Sequence, residues 1–239
     1  MADWSSLPSA VEVSVYSDHV SNADTLIERL SDVEIIICMR ERTPFPRSLL
    51  ESLPNLKLLI TTGMANASID MEAAAALGIV VSGTSGSGDT TGELTWGLIL
   101  ALARSIPQED KLIRLGQWQT SLGSGLRGKT LGLLGLGRIG SQVAGYGNVF
   151  GMSVIAWSEN LTRERATENG ADLVSKAALL KNSDVVSIHL RLSERTRGLL
   201  GQQDLDLMKP TAYLVNTSRG PIVDGDALIK ALRQRKLAG

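Results

Sequence analysis

The hexapeptide Gly135-Leu136-Gly137-Arg138-Ile139-Gly140 lies directly between a leucine-rich run, Thr130 to Leu134, and a helix-like stretch from Ser141. Each glycine in such a strand-turn-helix has a separate physical task. The first allows the tight turn, the second lets backbone approach a pyrophosphate, and the third lets the helix pack on the strand. The helix start then offers free N–H groups and a positive dipole end to the phosphates. A glycine-rich turn with no ligand would use the same residues. The strand before, the helix after and a second strand, Val154 to Trp157, favour dinucleotide binding through Gly135, Gly137, Arg138, Ile139 and Gly140.

Around this unit, short β-branched or leucine-rich runs alternate with helix-like stretches. Val11 to Tyr16, Glu34 to Met39, Leu56 to Thr61 and Ile79 to Val81 read as strands in the first half. Asn22 and Asp24 suit a helix start, and the alanine-rich Ile69 to Leu77 ends at Gly78, a glycine C-cap. In the second half Thr130 to Leu134, Val154 to Trp157, Asp172 to Val174, Val185 to Leu190 and Ala212 to Thr217 read as strands, and Asp224 to Lys236 as a final helix. Such alternation predicts parallel sheets in an α/β fold. Leu94 to Leu102 is apolar on every side and predicts a helix buried all round. The Gly-, Ser- and Thr-rich Ser82 to Gly92 predicts a hinge, dividing the chain into domains 1–92 and 93–239.

With 24 basic and 25 acidic residues the chain has a net charge of −1, which supplies no basic field for nucleic acid. The single cysteine, Cys38, sits in an apolar run and predicts a buried thiol rather than a nucleophile or a metal ligand. No metal site is expected. The N-terminus shows no basic-then-apolar signal pattern, and Leu94 to Ala103 is about half the roughly 20 residues a bilayer crossing needs. A cytoplasmic protein without a membrane partner is expected.

The residue ending the second strand of a dinucleotide unit reads the adenosine ribose, and an acid there favours NAD over NADP. Here that residue is Ser158, followed by Glu159, with Arg163 and Arg165 close behind. The residues alone leave NAD and NADP both open.

Asn216-Thr217-Ser218-Arg219-Gly220-Pro221-Ile222-Val223-Asp224, with the GLGRIG loop, Thr61-Thr62-Gly63 continuing to Asn66 and Asp70, and Glu93-Leu94, resembles the D-isomer-specific 2-hydroxyacid dehydrogenases along essentially the whole chain. The resemblance implies two doubly wound α/β lobes, flavodoxin-like and Rossmann, with parallel sheets: a substrate domain and an NAD(P)-binding domain incomplete at its C-terminal end. It implies hydride transfer between a nicotinamide, NAD with NADP left open, and a small 2-hydroxy or 2-oxo acid, in a homodimer of the full-length form. By the same resemblance Arg219 binds the substrate's carboxylate and carbonyl oxygen and is the catalytic position. A guanidinium fork suits that task because it holds an oxoacid bidentately and stays charged. Gly63 and Met64 match the substrate loop, and Thr62, Ser158, Leu190, Thr217 and Ser218 join the fingerprint as cofactor positions.

Ala65 replaces a polar or charged residue common in this loop type, and Gly225 replaces an acidic one beside Asp224. The resemblance also places an acid/base glutamate and histidine beyond Gly239. Residues 1–239 alone are therefore expected not to turn over, with Ala212 to Thr217 as a bare sheet edge. His189 at a strand end is expected to line the cofactor site rather than replace that histidine, and His19 to be an ordinary surface residue. The rival from another class is a non-catalytic dinucleotide-binding protein or an inactive fragment.

Overall fold

Strands and helices alternate throughout a computed structural model of the chain, which describes residues 4, 7–64, 66–86 and 90–239. Two units follow one another, Met1–Gly86 and Ser87–Gly239. The segment read as a hinge spans that division, and residues 87–89 of it lie outside the described residues, as does Ala65.

The first unit holds α1 (Ala23–Leu30), β1 (Ile35–Cys38), α2 (Arg47–Glu51), β2 (Leu58–Thr61), α3 (Met71–Ala76) and β3 (Val80–Gly83). Its strands are parallel in the order β1-β2-β3. The helix starts follow the sequence signals: Asn22 Oδ1 accepts the Thr25 N–H at 2.9 Å, and Asp70 Oδ1 accepts that of Ala73 at 2.8 Å. Gly78 leaves α3 at φ +73°, the left-handed cap expected of it. Alternate strand residues Ile36, Cys38 and Leu59 enter a core with Phe45, Leu50 and Ala73.

Val11 to Tyr16 is not a strand. Val11, Val13 and Val15 are 47%, 43% and 74% exposed, and no ladder includes them. β-Branched alternation suits a pleated surface but does not supply the neighbouring strand. The segment is held to α1 by side chains, with Arg29 paired to Asp18 at 2.8 Å and stacked 4.5 Å from the Tyr16 ring centroid.

The second unit runs α4 (Thr90–Ala103), α5 (Ile106–Arg114), β4 (Thr130–Leu134), α6 (Arg138–Val149), β5 (Ser153–Trp157), α7 (Arg163–Glu168), β6 (Asp172–Leu173), α8 (Lys176–Asn182), β7 (Val185–Ile188), α9 (Gln202–Leu205), β8 (Tyr213–Asn216) and α10 (Gly225–Arg233). All five strands are parallel, in the order β6-β5-β4-β7-β8. The chain thus builds outward from β4 to β6, then crosses back to place β7 on the other side of β4. One core joins Leu131, Leu133 and Val185 to Trp96, Ile99 and Val143, and the other joins Leu134, Val186 and Ile188 to Leu179, Leu205 and Ala231. Burial on both faces explains why β4 and β7 are mostly apolar rather than alternating, with Ser187 the buried polar exception in β7.

Two expectations need correction here. α4 is not buried all round: Thr95, Trp96, Ile99 and Ala103 face inward, while Leu94 and Leu98 are 58% and 40% exposed. An apolar sequence does not specify which faces find a partner. Nor is β8 a bare edge. Leu237 is buried in the second core, which draws the last residues alongside the strand: Ala238 N donates to Ala212 O at 3.0 Å and Leu214 N to Gly239 O at 2.9 Å. Gly225 does not spoil the last helix, because Asp224 caps it by accepting the Ala227 N–H at 3.0 Å.

Asp184 ties together the strand starts on this sheet. Its Oδ2 accepts the Thr130 N–H at 2.8 Å, its Oδ1 pairs with Lys209 at 3.0 Å, and its carbonyl accepts the Tyr213 N–H at 3.0 Å. Partial burial pushes this carboxyl up, but the Thr130 amide and Lys209 outweigh burial and hold it below the usual carboxylate range. Asp184→Ala should destabilise the chain by about 1.5–3 kcal/mol, the usual loss for hydrogen bonds to a charged group. Urea unfolding followed by circular dichroism measures it, and an unchanged midpoint would contradict the role.

Candidate functional site

The reversal in strand order makes the loops after β4 and β7 diverge, and ligands of open α/β sheets bind in the crevice so formed. Gly135 opens the β4 loop at φ +100°, with its amide donated to Trp157 O at 2.8 Å. A Cβ on it would lie 2.8 Å from His189 O, so backbone and neighbour both demand glycine. A Cβ on Gly140 would overlap Gly135 O, which sets how closely α6 approaches the turn. Gly137 differs, because nothing lies within 4 Å of its missing side chain. It precedes α6 with no side-chain cap, so the amides of Arg138, Ile139 and Gly140 and the positive helix end border open space.

The loop after β8 is shaped by its own polar side chains. Asn216 Oδ1 accepts the Ser218 N–H at 2.9 Å while its Nδ2 donates to Arg219 O at 3.0 Å, bending the chain between them. Ser218 Oγ donates to Leu190 O, which ties this loop to the one after β7. Thr217 Oγ1 lies 2.7 Å from Thr95 Oγ1 of α4. Arg219 is half-buried, and its Nη1 donates to Ser218 O at 3.1 Å. Ser158 follows β5 half-buried, with Glu159 exposed beyond it. Arg163 and Arg165 are exposed on α7, whose start Thr162 caps. Thus Gly135 to Gly140, Ser158, Leu190, Thr217, Ser218 and Arg219 all lie at the carboxyl ends of the strands of one sheet.

Thr62, Gly63 and Met64 belong to the first unit, directly after β2. Thr62 N donates to Cys38 O at 3.0 Å and Gly63 N to Thr84 Oγ1 at 2.9 Å. These two amides are therefore engaged within the unit, and Met64 is the member that projects, 76% exposed. Gly63 has φ +106°, and Arg40 Nη1 lies 2.5 Å from where its Cβ would stand. Asn66 braces the loop, donating to Arg40 O at 2.6 Å and Thr61 Oγ1 at 3.1 Å. Cys38 is buried here and burial pushes its thiol up, as suits a packing residue.

Residues 96–239 match the NAD binding domain of the D-isomer specific 2-hydroxyacid dehydrogenases. The chain belongs to that family. It is 46% identical over 200 residues to a glyoxylate reductase of Aeropyrum pernix, covering 80% of this chain and 60% of that protein. The solved phosphoglycerate oxidoreductase of Vibrio cholerae superposes with a TM-score of 0.87 at 40% identity, covering 93% of this chain and 72% of that one. The Aquifex aeolicus D-lactate dehydrogenase, solved with NAD and lactic acid, superposes at 0.76 and 34% identity, covering 89% and 65%. The chain thus spans less than two thirds of the length of that Aeropyrum relative.

His189 stands directly against the fingerprint turn. Its Nε2 lies 2.9 Å from the buried Ser187 Oγ, its N–H is donated to Leu134 O at 2.8 Å, and its carbonyl backs Gly135. Burial lowers its pKa to about 4, so at neutral pH it is an uncharged wedge beneath the turn rather than a proton donor. His19 is exposed, as expected of a surface residue. Sequence reasoning passed over Thr95, Ser187 and Arg40; the visible signal for Thr95 is a hydroxyl inside an otherwise apolar run.

The depressed pKa has a consequence for stability. Between pH 6.5 and about 4 the unfolded chain binds a proton at His189 that the folded chain refuses. Folding stability should therefore be free of this penalty above pH 6.5 and fall by about 3 kcal/mol as pH drops to about 4. His189→Gln should remove that part of the acid sensitivity in urea titrations at several pH values, and NMR titration of the ring near pH 6.5 would contradict the burial.

Proposed function

We propose that the chain serves an NAD-dependent oxidoreductase that moves a hydride between the nicotinamide and C2 of a small 2-oxo or 2-hydroxy acid. The observation that carries this is the open space over Gly137 at the uncapped start of α6, on the same sheet end as the Arg219 loop. The open backbone fits a pyrophosphate, and a Cβ at Gly137 would intrude on it. Gly135, Gly137, Arg138, Ile139 and Gly140 hold the phosphates, Ser158 with Glu159 meets the ribose, and Thr62, Leu190, Thr217 and Ser218 complete the cofactor contacts. Glu159 favours NAD over NADP.

Bound NADH would supply the hydride. Arg219 contributes orientation and charge: its fork takes the acid's carboxylate and draws electron density onto the carbonyl oxygen, making C2 more electrophilic. Gly63 and Met64 are assigned to substrate in the first unit, read as the substrate domain (1–92), with 93–239 as the cofactor domain. Relatives named as reductases and dehydrogenases favour this reading over a non-catalytic dinucleotide binder, and glyoxylate is the first substrate to try. A cytoplasmic homodimer is the form we assign to the protein.

Gly137→Val should abolish NADH binding by calorimetry while leaving the unfolding midpoint unchanged, since its Cβ meets nothing in the folded chain. Undiminished binding would sink the assignment, and tighter binding of NADPH than NADH would reverse the cofactor preference. With NAD bound, Arg219→Ala should weaken glyoxylate binding about 10- to 100-fold, the range of a charge-assisted contact. Equal affinity in the variant would remove Arg219 from the substrate site.

A further inference from the structure

Thr95 interrupts the apolar run of α4 with a hydroxyl that has no exposure to solvent. A buried hydroxyl costs free energy unless its hydrogen and lone pairs are used. Its oxygen lies 2.7 Å from the Thr91 carbonyl oxygen one turn back and 2.7 Å from Thr217 Oγ1. Each hydroxyl carries one hydrogen, and a carbonyl carries none. Two oxygens at 2.7 Å need a hydrogen between them, so the Thr95 hydrogen goes to Thr91 O. Thr217 must then donate to Thr95. Its only hydrogen is thereby committed to Thr95, and what remains for any further partner is lone pairs.

We propose that Thr95 is a positioning residue that fixes the Thr217 hydroxyl as a pure hydrogen-bond acceptor for a donor group of the dinucleotide. The inference rests on the proposed cofactor site and deepens it. A free threonine hydroxyl rotates and presents either polarity. Here the relay from Thr217 through Thr95 to the Thr91 carbonyl settles the direction before the ligand arrives, which lowers the ordering cost of binding. Two donors on the nicotinamide nucleotide share the required chemistry, the carboxamide N–H₂ and a ribose hydroxyl. The neighbouring Ser218 hydroxyl is committed to Leu190 O, so Thr217 is the loop hydroxyl turned to this use.

Calorimetry with NADH on the full chain tests this. Thr95→Val keeps the shape and removes the relay, and should weaken NADH binding about 3- to 10-fold, the worth of one hydrogen bond, while Thr95→Ser stays within about twofold. Thr217→Val should weaken binding on its own, and adding Thr95→Val to it should cost nothing further, whereas a purely structural role for Thr95 would add in full. The 3-acetylpyridine analogue of NADH lacks the amide N–H₂. Loss of the Thr95→Val effect with it identifies the carboxamide as the donor, and persistence of the effect identifies a ribose hydroxyl.

Wild-type affinity in Thr95→Val, a Thr95→Ser as weak as Thr95→Val, or full additivity overturns the inference while leaving the cofactor site intact. Should Thr95→Val fail to fold, wild-type affinity in Thr217→Val overturns it equally. No NADH binding by the wild-type chain overturns both the inference and the function it rests on.

Discussion

The contact on which this fold turns is the approach of the Gly135 turn to the backbone of His189. It is made at the place where the sheet reverses its order, between β4 and β7. Were a side chain needed at Gly135, the turn would be pushed off His189 and its amide off Trp157, and α6 would lose its seat against the turn at Gly140. Three strands and one helix are registered by one residue that has no side chain. His189 supplies the opposite quality there, a neutral ring that fills space and carries no charge at neutral pH.

From that frame the second strand-end loop is positioned without regular structure. Asn216 curls it, Ser218 fastens it to the loop after β7, and Thr217 reaches the hydroxyl of Thr95. Arg219 is thus presented by a loop whose neighbours on both sides are already hydrogen-bonded. A long flexible cation gains directional force when its backbone is fixed, because less rotational freedom is lost on meeting an anion.

Much of this was legible in the sequence because the responsible signals are local. The glycine spacing, Asn22, Asp70, Gly78 and Asp224 act on atoms within a few residues, and each does what its type and place suggest. What failed depended on distant partners. Val11 to Tyr16 has the alternation of a strand but finds no ladder, and Leu94 and Leu98 have core chemistry but stay 58% and 40% exposed. The last residues border β8 because Leu237 is drawn into a core built from residues far upstream. Site residues divided the same way. The fingerprint declared itself by spacing, while Thr95 and Ser187 matter only through what folding sets beside them.

The packing of Arg40 on Gly63 bears on how such a chain can vary. Arg40 itself has a left-handed backbone at φ +50°, its amide donates to Thr62 Oγ1, and its guanidinium occupies the volume a side chain at 63 would need. The two halves of this contact are not equally constrained. Position 63 is closed to side chains by its own backbone at φ +106°, whatever stands at 40. The guanidinium is the movable end of a flexible side chain and can swing away. Across descendants of this sequence Gly63 should be the fixed point of the turn and the cover over it the part that drifts.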